Sequence, residues 1–96
     1  MPTYVTLFRS TAEGTKGLKE TQRYFEEGKK DVQGAGGKII AAYALLGRYD
    51  YIYITEFPDQ RSALKALFRT AAKGRVSPET LVAIPLEEFV QSVKEA

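Results

Sequence analysis

The stretch Tyr51-Ile52-Tyr53-Ile54-Thr55-Glu56-Phe57 decides the fold, because it is the most strongly β-forming segment of the chain. Its aromatic and β-branched residues alternate with the two-residue period of a strand. A nearly continuous apolar run at residues 39–46 precedes it, and Gly47-Arg48-Tyr49-Asp50 separates the two. Two such runs around four turn-type residues predict a β-hairpin, with Gly47 and Asp50 adopting the unusual backbone angles.

A strand and a helix are predicted before the hairpin. Residues 3–9 alternate in the same way and form the first strand. Ser10 or Thr11 is expected to cap the following helix, because Ser10 and Glu13 have the spacing of a capping box. The helix ends at the glycines that precede residue 38, and its buried stripe repeats every seven residues. That stripe consists of Leu18, Phe25 and Val32.

A second helix, a last strand and a short terminal helix are predicted after the hairpin. Asp59 is placed to cap the second helix and Gly74 to end it. Residues 76–84 form the last strand, and Pro78 suggests that its start is at a sheet edge or is irregular. Pro85 then begins a helix. The apolar residues at helical spacing are Ala63, Leu64, Leu67, Phe68 and Ala71 in the second helix, and Leu86, Phe89, Val90 and Val93 in the terminal one.

The element order βαββαβ is that of a ferredoxin-like α+β fold. It predicts a single domain over residues 1–96, with a four-stranded antiparallel sheet, two helices on one face and a short C-terminal helix. We expect Val5, Leu7, Ile52 and Ile54 to face the helices. The opposite face would then carry Tyr4, Thr6, Phe8, Tyr51, Tyr53, Thr55 and Phe57. An uncovered aromatic surface of that size predicts that a partner covers it.

Composition narrows the classes of function. Fourteen basic residues stand against twelve acidic ones, and the net charge of +2 is not concentrated in one stretch. This pattern disfavours electrostatic binding of nucleic acid or membranes. A domain of 96 residues buries only roughly 60–65% of its unfolded surface, so a second subunit would stabilise it.

Cysteine and histidine are both absent. Their absence removes disulfides, thiol nucleophiles and the common ligands of zinc and haem, so we expect no metal and no cofactor. The glycines at positions 34, 36 and 37 follow a helix and precede a strand, which is the reverse of the order in a phosphate-binding loop. Without a recognisable signal peptide or membrane-spanning stretch, a soluble cytoplasmic protein is expected.

Five short segments together resemble the GYD domain family, named for a Gly-Tyr-Asp signature that here contains Arg48 between Gly47 and Tyr49. The segments are Met1-Pro2-Thr3-Tyr4-Val5-Thr6-Leu7, Gly36-Gly37-Lys38, Leu46-Gly47-Arg48-Tyr49-Asp50, Glu56-Phe57-Pro58-Asp59 and Glu79-Thr80-Leu81. The resemblance spans nearly the whole chain. It departs from the family pattern at Arg69-Thr70-Ala71-Ala72-Lys73, which is more charged than the corresponding segment in relatives.

The family resembles the dimeric α/β-barrel superfamily, in which two ferredoxin-like sheets pack face to face. The resemblance therefore implies a homodimer whose second subunit covers the exposed sheet. It implies no reaction and no catalytic residues, because the family is functionally uncharacterised.

The turn holds the first candidate site residues. Arg48 and Asp50 could bind a carboxylate, with Tyr49 beside them. The alternative is structural, with Asp50 accepting hydrogen bonds from backbone amides and Tyr49 packing on a neighbouring subunit.

Tyrosines and carboxylates supply the other candidates. A set of hydroxyl-bearing residues could line a small-molecule cavity between sheet and helix or between subunits, or could form a dimer core. This set comprises Tyr4, Thr6, Tyr43, Tyr51 and Tyr53. Glu56 and Glu79 could act as general bases if buried, but residues of this kind more often pair with a cation or reach solvent.

Three functions are compatible with these features. The first is a homodimeric α/β-barrel domain that binds a small ligand or has a non-catalytic role. The second, by analogy with barrel relatives, is a cofactor-free isomerase or monooxygenase-like enzyme acting on a small organic substrate. The third is RNA binding through Tyr4, Tyr51 and Tyr53, although the basic-glycine-aromatic pattern of RNA-recognition motifs is missing.

Overall fold

The computed structural model, which describes all 96 residues, contains four strands and four helices. The strands are β1 (Thr3–Ser10), β2 (Lys38–Ala44), β3 (Tyr51–Glu56) and β4 (Val76–Ala83). The helices are α1 (Ala12–Lys16), α2 (Thr21–Gly34), α3 (Gln60–Ala72) and α4 (Leu86–Glu95). The predicted α+β class and element order are confirmed, although the first predicted helix is divided.

The sheet has the order β2-β3-β1-β4, with every neighbouring pair antiparallel. Strand β1 is central, and its Val5 lies opposite Ile54 on one side and Leu81 on the other. Strand β4 lies at an edge, where Pro78 can be accommodated because one side of the strand forms no ladder. This is the ferredoxin-like arrangement that the sequence predicted.

The first predicted helix is broken at Gly17. Helix α1 ends there, a short 3-10 turn at Leu18–Glu20 follows, and α2 begins at Thr21. A Cβ atom at Gly17 would lie only 2.3 Å from the Tyr24 hydroxyl, so a side chain there would require the Tyr24 ring to move. Because of this break, Leu18 leaves the predicted buried stripe and is 51% exposed.

The capping residue of α1 is Thr11, and the predicted capping box at Ser10 is wrong. The Thr11 Oγ1 accepts a hydrogen bond from the Gly14 amide over 3.1 Å. Ser10 instead ends β1, and its amide donates to Asp50 Oδ2 over 2.7 Å. The extended backbone of β1 therefore continues one residue beyond the predicted strand.

The prediction of which sheet face the helices cover is also wrong. Tyr4, Phe8 and Phe57 are between 3% and 6% exposed, and they lie beneath the helices. The helices present small residues to them, notably Gly28, Ala63 and Ala66. Alternation determines which residues share a face, but volume decides which face is covered, because large rings fill the gap above small helical residues.

The opposite face of the sheet therefore lacks any covering layer. We call it the open face and define it by Val5, Leu7, Ile52, Ile54 and Leu81, which the strand register places on one side. All five side chains are at least partly exposed, and Leu81 is 46% exposed. The surface that lacks a cover is thus mainly aliphatic, although Tyr43, which pairs with Ile52, is on the same face.

A compact cluster beneath the helices forms the core. It contains Tyr4, Val32, Phe57, Ala63 and Ala66, and the rings of Tyr4 and Phe57 meet edge to face at 5.9 Å between centroids. Only ten of the 96 residues are buried, and none of the large side chains is completely inaccessible. A core of this size is modest for the chain, which makes further burial against a partner favourable.

Ion pairs join α3 and the following segment to α2. Lys73 Nζ lies 2.6 Å from Asp31 Oδ2, and the Thr70 hydroxyl donates to the same oxygen over 3.3 Å. Arg75 Nη2 lies 2.8 Å from Glu27 Oε2. The charged segment that departs from the family pattern therefore holds the two helices together.

Helix α4 forms where the sequence predicted it, but its apolar residues remain exposed. Leu86, Phe89, Val90 and Val93 have exposed fractions between 44% and 74%. They would gain stability from burial, which their own subunit does not provide. None of the helices has the length and apolar character that crossing a membrane would require.

The cap of α3 provides a test of this local structure. Asp59 Oδ1 accepts a hydrogen bond from the Ser62 amide over 2.8 Å, and this bond holds the pKa of Asp59 below its ordinary value. We expect Asp59→Ala to lower the melting temperature at neutral pH, because the amide loses its partner. The difference in melting temperature between the two proteins should shrink as the pH falls below 3.8 and then through the lowered pKa of Asp59, because protonation removes the contribution of the charged cap.

Thermal unfolding followed by circular dichroism across this pH range measures the effect. Gln60→Ala, at the exposed neighbouring position, is the matched control and should leave the melting temperature nearly unchanged. A deficit that is equal at neutral and acidic pH would contradict the assigned role of the carboxylate.

Candidate functional site

Asp50 anchors the loop between β2 and β3 to the end of β1. Its amide donates to the Phe8 carbonyl over 2.8 Å, and its own carbonyl accepts from the Leu45 amide over 2.8 Å. The Ser10 amide also donates to the Asp50 carboxylate, so both the backbone and the side chain of Asp50 have a structural role. Gly47 has the predicted positive φ, at 137°, whereas Asp50 does not, so that part of the prediction is wrong.

Arg48 and Tyr49 are directed towards the open face. The Tyr49 hydroxyl donates to Glu79 Oε1 over 3.0 Å, and Glu79 lies opposite Leu7 in the sheet. The guanidinium carbons of Arg9 and Arg48 lie 5.0 and 5.7 Å from the centre of the Tyr49 ring, within the range of cation–π attraction. The loop thus places a tyrosine between two arginines at one end of the open face.

Glu56 lies towards the other end of the open face. Its Oε1 is 3.4 Å from Lys38 Nζ, so it forms a surface ion pair. Glu79 is likewise engaged, by Tyr49. The two carboxylates considered as general bases therefore serve as partners for neighbouring groups and lie apart from each other.

The five hydroxyl-bearing candidates do not come together. Tyr4 is part of the core, and Thr6 shares a hydrogen bond of 2.9 Å with the Thr80 hydroxyl. Tyr51 and Tyr53 line a cleft on the helix side of the sheet, and Tyr43 lies at its edge with 60% exposure. These three residues border the same cleft, although Tyr43 pairs with Ile52 and its ring therefore belongs to the opposite face of the sheet. Thr6 and Tyr53 share a second, smaller cavity.

This cavity, the aromatic cleft, has a volume of about 290 Å³ and lies between β2, β3 and helix α2. Five rings form its walls, those of Phe8, Tyr24, Phe25, Tyr51 and Tyr53. The Tyr53 ring centre lies 4.8 Å from that of Phe8 and 5.7 Å from that of Phe25. Tyr53 therefore occupies the middle of the cleft.

Helix α2 contributes wall residues that sequence reasoning did not assign to a site. Tyr24 and Phe25 are among the rings, and Gly28 forms part of the lining. A Cβ atom at Gly28 would lie 3.3 Å from the Tyr53 hydroxyl, which is tighter than most contacts of that kind. A glycine in the middle of a helix was the available signal, because glycine is unfavourable there unless close approach requires it.

Charges surround the cleft in pairs. The pairs Lys73–Asp31 and Arg75–Glu27 lie at its rim, and the Arg75 guanidinium carbon is 3.8 Å from the centre of the Tyr24 ring. Burial, with a smaller contribution from Tyr51, raises the pKa of Tyr53 to about 12. The phenol is therefore protonated at neutral pH and keeps a hydrogen that it can donate.

No group of three or more acidic, histidine or cysteine side chains is arranged to hold a metal ion. The arrangement offers two distinct surfaces on opposite sides of one sheet. One is the aliphatic open face with the Arg9–Tyr49–Arg48 cluster, and the other is the aromatic cleft.

Solved structures share this fold. The chain is similar to FFRP-DM1, with a TM-score of 0.60, 17% identity and coverage of 88% of this chain and 100% of that one. It is similar to the hypothetical protein PHS023 from Pyrococcus horikoshii, with a TM-score of 0.59, 17% identity and coverage of 88% and 92%. Identities this low support the fold alone.

A curated relative is closer in sequence. The glutamine synthetase and cystathionine beta-lyase binding protein of Thermus thermophilus is 32% identical over 95 residues. The alignment covers 98% of this chain and all of the relative.

The family model of the GYD domain matches residues 4–93. The match includes the Gly47–Asp50 loop and all four strands except the first residue of β1. The resemblance inferred from the short segments is thereby confirmed, and the chain belongs to the GYD domain family.

Proposed function

We propose that this protein is a homodimeric, non-catalytic domain that binds another protein, and that its partner is an enzyme. The name of the Thermus thermophilus relative describes a protein that binds two enzymes, and that relative aligns along its whole length. We further propose a cytoplasmic location, because the chain has no cysteine with which to form the disulfides of small secreted domains.

The open face is the main support for the proposed homodimer. It presents a continuous aliphatic surface, centred on Val5 and its neighbours Ile54 and Leu81. Apolar patches of this kind on a soluble protein are normally covered by a partner. Charges of both signs border the patch, with Lys38 and Glu56 at one end and Arg9 and Glu79 at the other, so a second copy meets complementary charges.

Helix α4 supports the same arrangement. It follows the edge strand β4 directly and presents an apolar stripe that its own subunit leaves exposed. A second copy on the open face would bring apolar surface within reach of that stripe. Both uncovered apolar surfaces would then be buried in one assembly, in which two sheets enclose an α/β barrel.

The enzyme alternative has little support from the aromatic cleft. Asp31 is the one carboxylate in its lining, and that side chain is engaged by Lys73 and Thr70. The raised pKa of Tyr53 makes its phenol a poor proton acceptor at neutral pH. The RNA hypothesis loses its basis as well, because Tyr4, Tyr51 and Tyr53 lie on the helix side of the sheet.

The dimer can be tested with a charge at the centre of the open face. We expect the unmodified protein to have twice the 10.7 kDa mass of one chain in light scattering. Val5→Glu should convert it to a monomer, because a carboxylate without a partner would be buried between the sheets. Gln22→Glu adds the same charge at an exposed position of α2 and should remain dimeric. A monomeric unmodified protein would refute the dimer.

Tyr49 tests the contribution of the family loop to this interface. We expect Tyr49→Ala to weaken dimerisation by at least about ten-fold, since Tyr and Arg residues are enriched among those that dominate interface energies. Tyr49→Phe, which loses only the bond to Glu79, should have a smaller effect. Sedimentation equilibrium measures both. Equal dimer dissociation constants for all three proteins would show that the loop lies outside the interface.

Direct binding measurements test the partner class. Purified glutamine synthetase and cystathionine beta-lyase from the same organism as this chain are the first probes, because the relative's name specifies both enzymes. We expect saturable binding of at least one, with a micromolar or tighter dissociation constant, in biolayer interferometry. Serum albumin at the same concentration is the control. Absence of binding to both enzymes would contradict this choice of partners while leaving the dimer test unaffected.

A further inference from the structure

We propose that the aromatic cleft is a binding site for an uncharged compound with one or two aromatic rings and a hydrogen-bond acceptor, which the Tyr53 hydroxyl recognises. This site would be additional to the protein-binding role. It lies on the helix side of the sheet, away from the open face, so either proposal can fail without the other.

The dimensions of the cleft favour a ring compound. Its volume of about 290 Å³ is roughly twice that of an engineered 150 Å³ cavity that binds benzene. The cleft is partly open to solvent, so a ligand of this size can enter it without unfolding the domain. Two fused rings fit this volume, and the edges and faces of the five wall rings suit aromatic stacking.

The rim argues against a charged ligand. Lys73 and Arg75 are each paired with an acidic partner, at 2.6 and 2.8 Å respectively. A carboxylate ligand would have to displace Asp31 or Glu27, and a cationic ligand would meet the lysine and arginine. An uncharged ligand enters without breaking either ion pair, which leaves the links between α2 and α3 intact.

Tyr53 provides the polar contact. Burial and the neighbouring Tyr51 raise the pKa of Tyr53, and no hydrogen bond to its hydroxyl contributes to that shift. Gly28 lies beside that hydroxyl, and any larger residue there would crowd it. The Tyr53 hydroxyl belongs to the lining of the cleft and forms none of the hydrogen bonds within the protein, so it can donate to a ligand, and a carbonyl oxygen or ring nitrogen is the matching acceptor.

The experiment compares three naphthalenes of similar size. The probes are 2-acetylnaphthalene, which is uncharged and has an acceptor, 2-ethylnaphthalene, which has none, and 2-naphthoate, which is anionic. We expect the acetyl compound to bind about three- to ten-fold more tightly than the ethyl compound and more tightly than the naphthoate. Titrations followed by nitrogen-15 NMR should shift the amides of Phe25, Gly28 and Tyr53 but not those of Val5 and Leu81.

Three variants locate the site. Ala42→Leu places a larger side chain opposite Tyr53 in the cleft and should weaken binding of the acetyl compound at least ten-fold. Tyr53→Phe keeps the ring and should remove the preference for the acetyl over the ethyl compound. Ala72→Leu, an equal change at the exposed end of α3, should leave binding unchanged.

Circular dichroism checks that each variant is folded, and if Ala42→Leu is not, Tyr53→Phe still tests the proposal. The proposal is overturned if the naphthoate binds best, if the shifted amides lie on the open face, or if Tyr53→Phe retains the acetyl preference. It is also overturned if none of the three compounds binds.

Discussion

The central strand β1 imposes the constraint on which the rest of the molecule depends. It pairs with β3 on one side and β4 on the other, so its side chains must point alternately to the two faces of the sheet. Tyr4, Thr6 and Phe8 lie beneath the helices, which obliges Val5 and Leu7 to lie on the open face. Both sets are largely apolar, and one layer of helices can cover only one of them. The uncovered apolar face is therefore built into the sequence of a single strand.

Small residues in the helices determine how the covered face packs. Ala63 and Ala66 of α3 approach the core closely enough to bury Tyr4 and Phe57. Gly28 of α2 allows the Tyr53 hydroxyl to reach the helix backbone. Towards that end of the sheet the rings do not fill the space completely, and the aromatic cleft results. One packing arrangement thus explains a tight core at one end and a cavity at the other.

The family loop connects the two sides of the sheet. Asp50 joins it to the end of β1 through backbone hydrogen bonds, while Tyr49 reaches Glu79 on the open face. This arrangement explains why Asp50 belongs to the scaffold, whereas Tyr49 and Arg48 lie together at the end of the open face. On the helix side of the sheet, the ion pairs of Asp31 and Glu27 hold α3 and the segment that follows it against α2.

The sequence by itself determined the order of the elements, the edge position of β4, the cap at Asp59 and the membership of the GYD domain family. These features are local or depend on alternation, which one strand or one helix displays alone. The tertiary structure alone decided which sheet face is covered, where the first helix breaks and which tyrosines share a cavity. Those outcomes depend on the volumes of residues distant in the chain, as when Gly28 admits the hydroxyl of Tyr53.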